Sequence, residues 1–193
     1  MKAAALAGAV VALLAACAGG PPPAGWQLDS AASMDLYRER YLEGDTRAAG
    51  IEFAKARAAL AGTGRPALVA RAELVRCAVR AASLEFDDCP GFEKLRADAA
   101  PEEIAYADFL AGKSERSASD DPLSKLVAYG VKFRSGKIDP AEISAAVEVS
   151  SAQGWRRPLL AWLGVEEKRA EAAGDQGALQ RIRRRIELVS GGR

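Results

Sequence analysis

The chain has 193 residues, 49% of them hydrophobic and 6% aromatic, with 27 lysines and arginines against 26 aspartates and glutamates and no histidine. So even a balance leaves no domain-wide electrostatic footprint for nucleic acid. The lack of histidine removes the commonest general base and the commonest metal ligand together.

Met1-Lys2 precedes an uncharged apolar run from Ala3 to Ala16, which ends in Leu14-Ala15-Ala16-Cys17. One positive charge, a short greasy segment and a small-residue cleavage site predict a secretory signal peptide over residues 1–16. The run is too short to span a bilayer comfortably. Leu14-Ala15-Ala16-Cys17 resembles the lipobox of bacterial lipoproteins. That resemblance implies a diacylglyceryl thioether on Cys17, cleavage before it and acylation of the freed amine, giving three chains that hold the protein at a membrane. In the enterobacterial version of the family, aspartate after the cysteine retains the protein in the inner membrane. Ala18 stands there instead, which implies an outer-membrane address facing the periplasm. The plainer alternative is an ordinary secretory signal in which Cys17 is incidental.

Ala18 to Gly25 contains glycines and three consecutive prolines but no side chain able to build a core. It reads as a linker, so residues 17–26 are expected to be a lipidated cysteine and spacer, reaching roughly 25 Å if extended. Residues 27–193 are long enough for one domain with a sizeable core. Loss of Lys2 with the leader would leave the remaining charges balanced.

From Ser30 onward the apolar residues recur three and four apart, the helical period. A first helix is expected from Ser30 to Glu43 with Met34, Tyr37 and Tyr41 on one stripe. Gly44-Asp45 separates it from a second, whose apolar face is Ala49, Phe53, Ala56 and Leu60. Pro66 opens a third at a position where its missing N–H costs nothing. There Leu68, Ala72, Val75, Val79, Ala82 and Phe86 form one seam, and Leu74, Cys77, Ala81 and Leu84 a second stripe. Only the arc of Glu73, Arg76 and Arg80 is polar, so this helix should sit centrally, with neighbours on two sides.

Asp87-Asp88-Cys89-Pro90-Gly91 breaks the helix, and a segment from Phe92 to Asp98 turns back. With Cys17 assigned to the lipid anchor, Cys77 and Cys89 remain, and in an oxidising compartment they read as one disulfide. Four returning residues span the distance back to Cys77. Such a bond would add about 3 kcal/mol of stability. The alternative is two buried thiols. Zinc is disfavoured, since two thiolates fill half a tetrahedron.

Pro101 begins another helix, with Ile104, Ala107 and Leu110 or Ala111 inward, followed by a polar loop from Lys113 to Asp121. Asp121-Pro122 is a cap followed by proline at the first helical position, leading into Leu123, Leu126, Val127, Gly130 and Val131. Asp139-Pro140-Ala141-Glu142 has the spacing of a capping box and leads into Ile143, Ala146 and Val147. Pro158 is expected to open the next helix, with Leu159, Trp162 and Leu163 inward. A last one runs through Val189, with a seam of Leu179, Ile182, Ile186 and Val189 bracketed by Arg181, Arg183, Arg184 and Arg185. About eight main helices joined by short turns predict an all-α fold of stacked antiparallel αα-hairpins.

Gly44-Asp45 followed by Ala49, Phe53 and Ala56 is similar to the second half of a tetratricopeptide motif, with Tyr41 near the usual aromatic position. The resemblance implies a tetratricopeptide-like right-handed array whose concave surface binds peptides or protein partners. Gly174-Asp175 echoes the turn, but Leu179 and Arg183 depart from the pattern, and no fixed repeat period runs through the chain.

Glu85, Asp87 and Asp88 cluster beside the two cysteines, and paired carboxylates can do acid–base work or bind a hard cation. A solvated helix end is the commoner meaning. Arg181, Arg183, Arg184 and Arg185, with Arg156, Arg157, Lys168 and Arg169, suggest a basic patch facing anionic lipid or an acidic partner. The competing explanation is a capping helix shielded by long cationic side chains. Trp155 and Trp162 flank Pro158, as interface anchors or as core. No serine sits in a nucleophile elbow and no glycine-rich phosphate loop follows a strand.

The chain is therefore expected to be a lipid-anchored periplasmic lipoprotein, not an enzyme, with no cofactor, no metal, no nucleic acid and no evident small-molecule substrate. It would act as a protein–protein adaptor in the cell envelope. Trp155, Arg156, Arg157, Arg181, Arg184 and Arg185 are its candidate partner-binding residues. The alternative is an envelope enzyme acting on peptidoglycan through Glu85 and Asp87. A deep pocket would favour the enzyme and a shallow apolar groove the adaptor.

Overall fold

A computed structural model describes residues 22–116 and 119–191; the expected signal peptide, Cys17 and the first part of the linker lie outside the described residues. Among the described residues nine α-helices follow one another: α1 (Gly25–Glu43), α2 (Thr46–Ala61), α3 (Pro66–Ala82), the single turn α4 (Pro90–Glu93), α5 (Pro101–Leu110), α6 (Pro122–Arg134), α7 (Pro140–Ala152), α8 (Arg156–Ala173) and α9 (Gln176–Gly191). A 3-10 turn at Arg96–Asp98 links α4 to α5. The described residues contain no strand.

Local chemistry sets the boundaries. The carboxylates of Asp45, Asp121 and Asp139 accept the backbone N–H groups of Ala48, Ser124 and Glu142 at 2.8–2.9 Å, satisfying donors that the first helical turn leaves orphaned. Glu142 returns the bond to the Asp139 N–H at 3.2 Å, completing the capping box. Gly44, at φ 98°, closes α1 in the left-handed conformation, and the next N–H, that of Asp45, reaches back to the Arg40 carbonyl at 2.8 Å.

The helices form a hairpin-like array wrapped around α3. α1 and α2 pair as a hairpin, α3 touches α1, α2, α4, α5 and α6, and α6, α7, α8 and α9 are successive neighbours before α8 returns to α1. Ala72 and Val79 of α3 pack with Tyr37, Tyr41, Leu42, Ala49 and Phe53, whereas Leu74, Cys77 and Ala81 join the larger core around Phe92, Leu126, Val147 and Trp162. One helix thus serves two apolar clusters, the role its two stripes predict. Trp162 is fully buried, and its indole N–H donates to the Ala82 carbonyl at 3.2 Å.

Several boundaries and environments differ from the sequence expectations. α1 begins at Gly25, not Ser30, because the Gln27 side chain accepts the Ala24 N–H at 2.9 Å and caps the helix earlier. Gly25 and Trp26, at the end of the expected spacer, therefore belong to the first turn of α1, and Trp26 is half-buried there. α3 stops at Ala82, where Leu84 turns left-handed at φ 59°, so Leu84 and Phe86 lie beyond the helix although both still pack on the larger core. α8 opens at Arg156, with Pro158 inside its first turn, where proline is tolerated.

Glu73 is the largest departure: expected on a polar arc, it is only 4% exposed. Arg57 of α2 donates to its carboxylate at 2.9 Å and Arg76 approaches at 3.4 Å, compensating the burial of the charge. Gly91 closes over the same carboxylate, and a Cβ there would stand 2.2 Å from Glu73 Oε2.

Candidate functional site

Two places bring chemically capable side chains together. The first lies beyond the end of α3, where a cavity of about 410 Å³ is lined by Cys77, Phe86, Asp87, Cys89, Asp108 and Arg134, among others. Cys77 and Cys89 are joined by a disulfide with their Cα atoms 5.8 Å apart, so the return segment is pinned against α3. The intervening loop is bounded by left-handed Leu84 and Cys89, at φ 59° and 48°.

Each carboxylate in this loop faces an arginine. Asp87 meets Arg80 at 3.0 Å and also accepts the Cys89 N–H at 3.0 Å. Glu85 meets Arg157 at 2.9 Å, and Asp88 meets Arg134 at 3.2 Å. Across the cavity, Asp108 pairs with Arg96 at 2.9 Å. These ion pairs tie the loop to Arg80 of α3, Arg134 of α6 and Arg157 of α8. The sulfurs of Cys77 and Cys89 and a carboxylate oxygen of Asp87 lie within 4.8 Å of one another, a spacing a metal could span. Bonded to each other, however, the sulfurs offer no thiolate.

Arg157, expected on a partner-binding surface, is instead an internal clasp. Its side chain is 19% exposed, donates to the Tyr41 carbonyl at 2.7 Å, to Glu85 at 2.9 Å and to the Thr46 hydroxyl at 2.5 Å, and lies over the Tyr41 ring at 4.2 Å. One guanidinium thereby ties α8 to α1, α2 and the loop after α3, using the planar fork that lysine lacks. Burial, and after it the neighbouring Glu85 carboxylate, holds the Tyr41 phenol well above the usual tyrosine range. Trp155 is likewise half-buried, packed against both apolar clusters. Arg156 is half-buried and lies over Gly44 in the first hairpin turn.

The second place is a shallow groove of about 510 Å³ between α7, α8 and α9, floored by Ile143, Ala170 and Ile182 and edged by Arg169, Arg181 and Arg185. Within the groove, Glu166 accepts the Ser144 hydroxyl and Asp175 accepts the Ala178 N–H that caps α9. Arg183 is committed to Glu167 and Glu171 at 2.7 and 2.6 Å. Arg185 reaches Glu148 at 3.6 Å. No carboxylate among the described residues forms an ion pair with Arg169, Arg181 or Arg184.

The six candidate residues thus divide: Trp155 and Arg157 serve the interior, Arg156 lies beside the first turn, and Arg181, Arg184 and Arg185 face outward from α9. Two further residues belong to the outward surface. Arg169 belongs to the basic set already legible in the sequence, and Leu188, 79% exposed, follows Arg181, Arg184 and Arg185 at intervals of seven, four and three residues, the helical spacing that signals it.

No helix among the described residues is long and apolar enough to cross a membrane. Comparison with protein-family models, with curated proteins and with solved structures finds no match for this chain.

Proposed function

We propose that the protein is a bacterial envelope lipoprotein, anchored through Cys17 to the periplasmic face of the outer membrane, whose helical array is a non-catalytic adaptor for another envelope protein. The observation that carries this reading is the pairing of every carboxylate in the Glu85–Asp88 loop with an arginine, set against arginines of α8 and α9 that lack carboxylate partners among the described residues. The first arrangement favours a rigid scaffold, and the second favours a surface with charge to spare for a partner. The lipobox-like Leu14-Ala15-Ala16-Cys17 supports the address, and the tetratricopeptide-like turn before Ala49, Phe53 and Ala56 supports protein binding.

The test sets adaptor against enzyme. Purified protein is incubated with isolated peptidoglycan, and intact cells producing the wild type or Cys17→Ser are treated with an amine-reactive crosslinker. The adaptor reading expects no soluble muropeptide, and a discrete crosslinked protein that requires Cys17. Release of muropeptides by the wild type, abolished in a folded Glu85→Gln variant, would overturn it.

A further inference from the structure

We propose that the outer face of α9, with the groove beside it, binds an acidic protein segment carrying an apolar side chain; this rests on the adaptor reading and names the chemistry of its partner. At 100° per residue, Arg181, Arg184, Arg185 and Leu188 fall on one stripe, while Leu179, Ile182, Ile186 and Val189 fall on another side. The second set faces the protein, with Leu179 buried and the other three packed against the large core. The first set faces away.

Charge identifies the occupant. Most arginines elsewhere meet a carboxylate, as Arg57, Arg71, Arg80, Arg96, Arg134 and Arg157 do at 2.7–3.2 Å. Around α9 the balance changes: Arg169, Arg181 and Arg184 have no carboxylate partner among the described residues, and Arg185 has one at 3.6 Å. The two acids in the groove, Glu166 and Asp175, each accept one hydrogen bond, from a hydroxyl and from a helix N–H, and form no ion pair with these arginines. An incoming carboxylate therefore meets the guanidinium groups of Arg169, Arg181 and Arg184, which hold no ion-pair partner among the described residues and whose fork geometry suits it. Leu188 is the most exposed large apolar side chain among the described residues, at 79%, and supplies a greasy contact at the end of the cationic stripe.

The shape favours a protein segment over a lipid surface. A helix that lies in a membrane interface must bury an apolar face in the acyl boundary. The apolar face of α9 is already spent on the core, which leaves one leucine and a concave groove of about 510 Å³, suited to a protruding side chain but not to a flat bilayer.

The test uses the full chain in intact cells, with Leu188→p-benzoylphenylalanine as the photo-crosslinker and the same group at Leu28, 56% exposed on α1, as the comparison site. The proposal expects a protein adduct from position 188 that maps to a segment rich in aspartate and glutamate. Its yield should fall about tenfold or more in R181E/R184E and persist in R181K/R184K. Unchanged thermal midpoints of the purified variants establish that the fold is intact. A phospholipid adduct alone, or a protein adduct indifferent to the charge reversal, would overturn the proposal. Protein adducts from position 28 but not from 188 would overturn this surface and leave the adaptor reading standing. No protein adduct from either position would remove both.

Discussion

Gly130 of α6 lies directly against the Ala81 carbonyl of α3, so close that a Cβ on Gly130 would stand 2.2 Å from that oxygen. One residue further on, the Ala82 carbonyl receives the Trp162 indole N–H from α8. The last turn of α3 is thus clamped between two helices from later in the chain, and the hydrogen-bonded backbone cannot yield to an added methyl without moving a helix.

Gly130→Ala is therefore expected to destabilise the protein by about 1–3 kcal/mol, the usual penalty for overpacking, measured by urea unfolding. Gly164 in α8 is the control, since a Cβ there meets nothing within 4 Å. Gly164→Ala should stabilise by about 0.5–1 kcal/mol through helix propensity and reduced unfolded-state entropy. Equal effects from the two substitutions would contradict the close approach.

What could be read from the sequence follows the range of the interactions. The boundary set by Asp139 and Glu142, the faces of α6 and α7 and the two-sided role of α3 rest on residues a few positions apart, and periodicity exposes them. The burial of Arg157 and Glu73 is not visible in the sequence because their partners are distant along it: Tyr41, Thr46 and Glu85 for the one, Arg57 for the other. On a helical projection both look solvated. The end of α3 is hidden for a related reason, since the apolar spacing continues to Phe86 while the backbone turns left-handed at Leu84. The candidate site was legible as an arginine-rich last helix, but which arginines are free depends on Glu167, Glu171 and Glu148 across the interhelical grooves.

Oxidised protein is expected to carry no free thiol at Cys77 or Cys89 by non-reducing mass spectrometry. Reduction, or Cys77→Ser with Cys89→Ser, should cost about 3 kcal/mol because the bond closes a short loop in the unfolded chain. Two alkylatable thiols in periplasmically expressed native protein would refute the linkage.

Arg157→Ala is expected to destabilise by about 2 kcal/mol, the scale of losing hydrogen bonds to a charged group whose partners stay only partly solvated. Arg157→Lys should recover less than half of that loss, because an ammonium cannot reach the Tyr41 carbonyl, Glu85 and Thr46 while stacking on the Tyr41 ring. Thermal unfolding of the two variants decides; full recovery by lysine would show that charge alone matters.

Burial raises the phenols of Tyr37, Tyr41 and Tyr106 above their ordinary value, with nearby arginines opposing it only in part. In the unfolded chain a phenol loses its proton near pH 10. Above that pH the unfolded state binds fewer protons than the folded one, so stability falls as pH rises toward the folded values. In an alkaline titration followed at 295 nm, these three phenols should ionise only together with loss of helical circular dichroism. Their ionisation near pH 10 with the helices intact would contradict their burial.

Attachment to a membrane through Cys17 is the premise on which the adaptor role depends, and metabolic labelling with a clickable palmitate analogue tests it most directly. The wild-type chain should take up the label and fractionate with membranes, and Cys17→Ser should do neither. A wild-type chain that is secreted but unlabelled would show that the cysteine is incidental and that the protein is not held at the envelope by lipid.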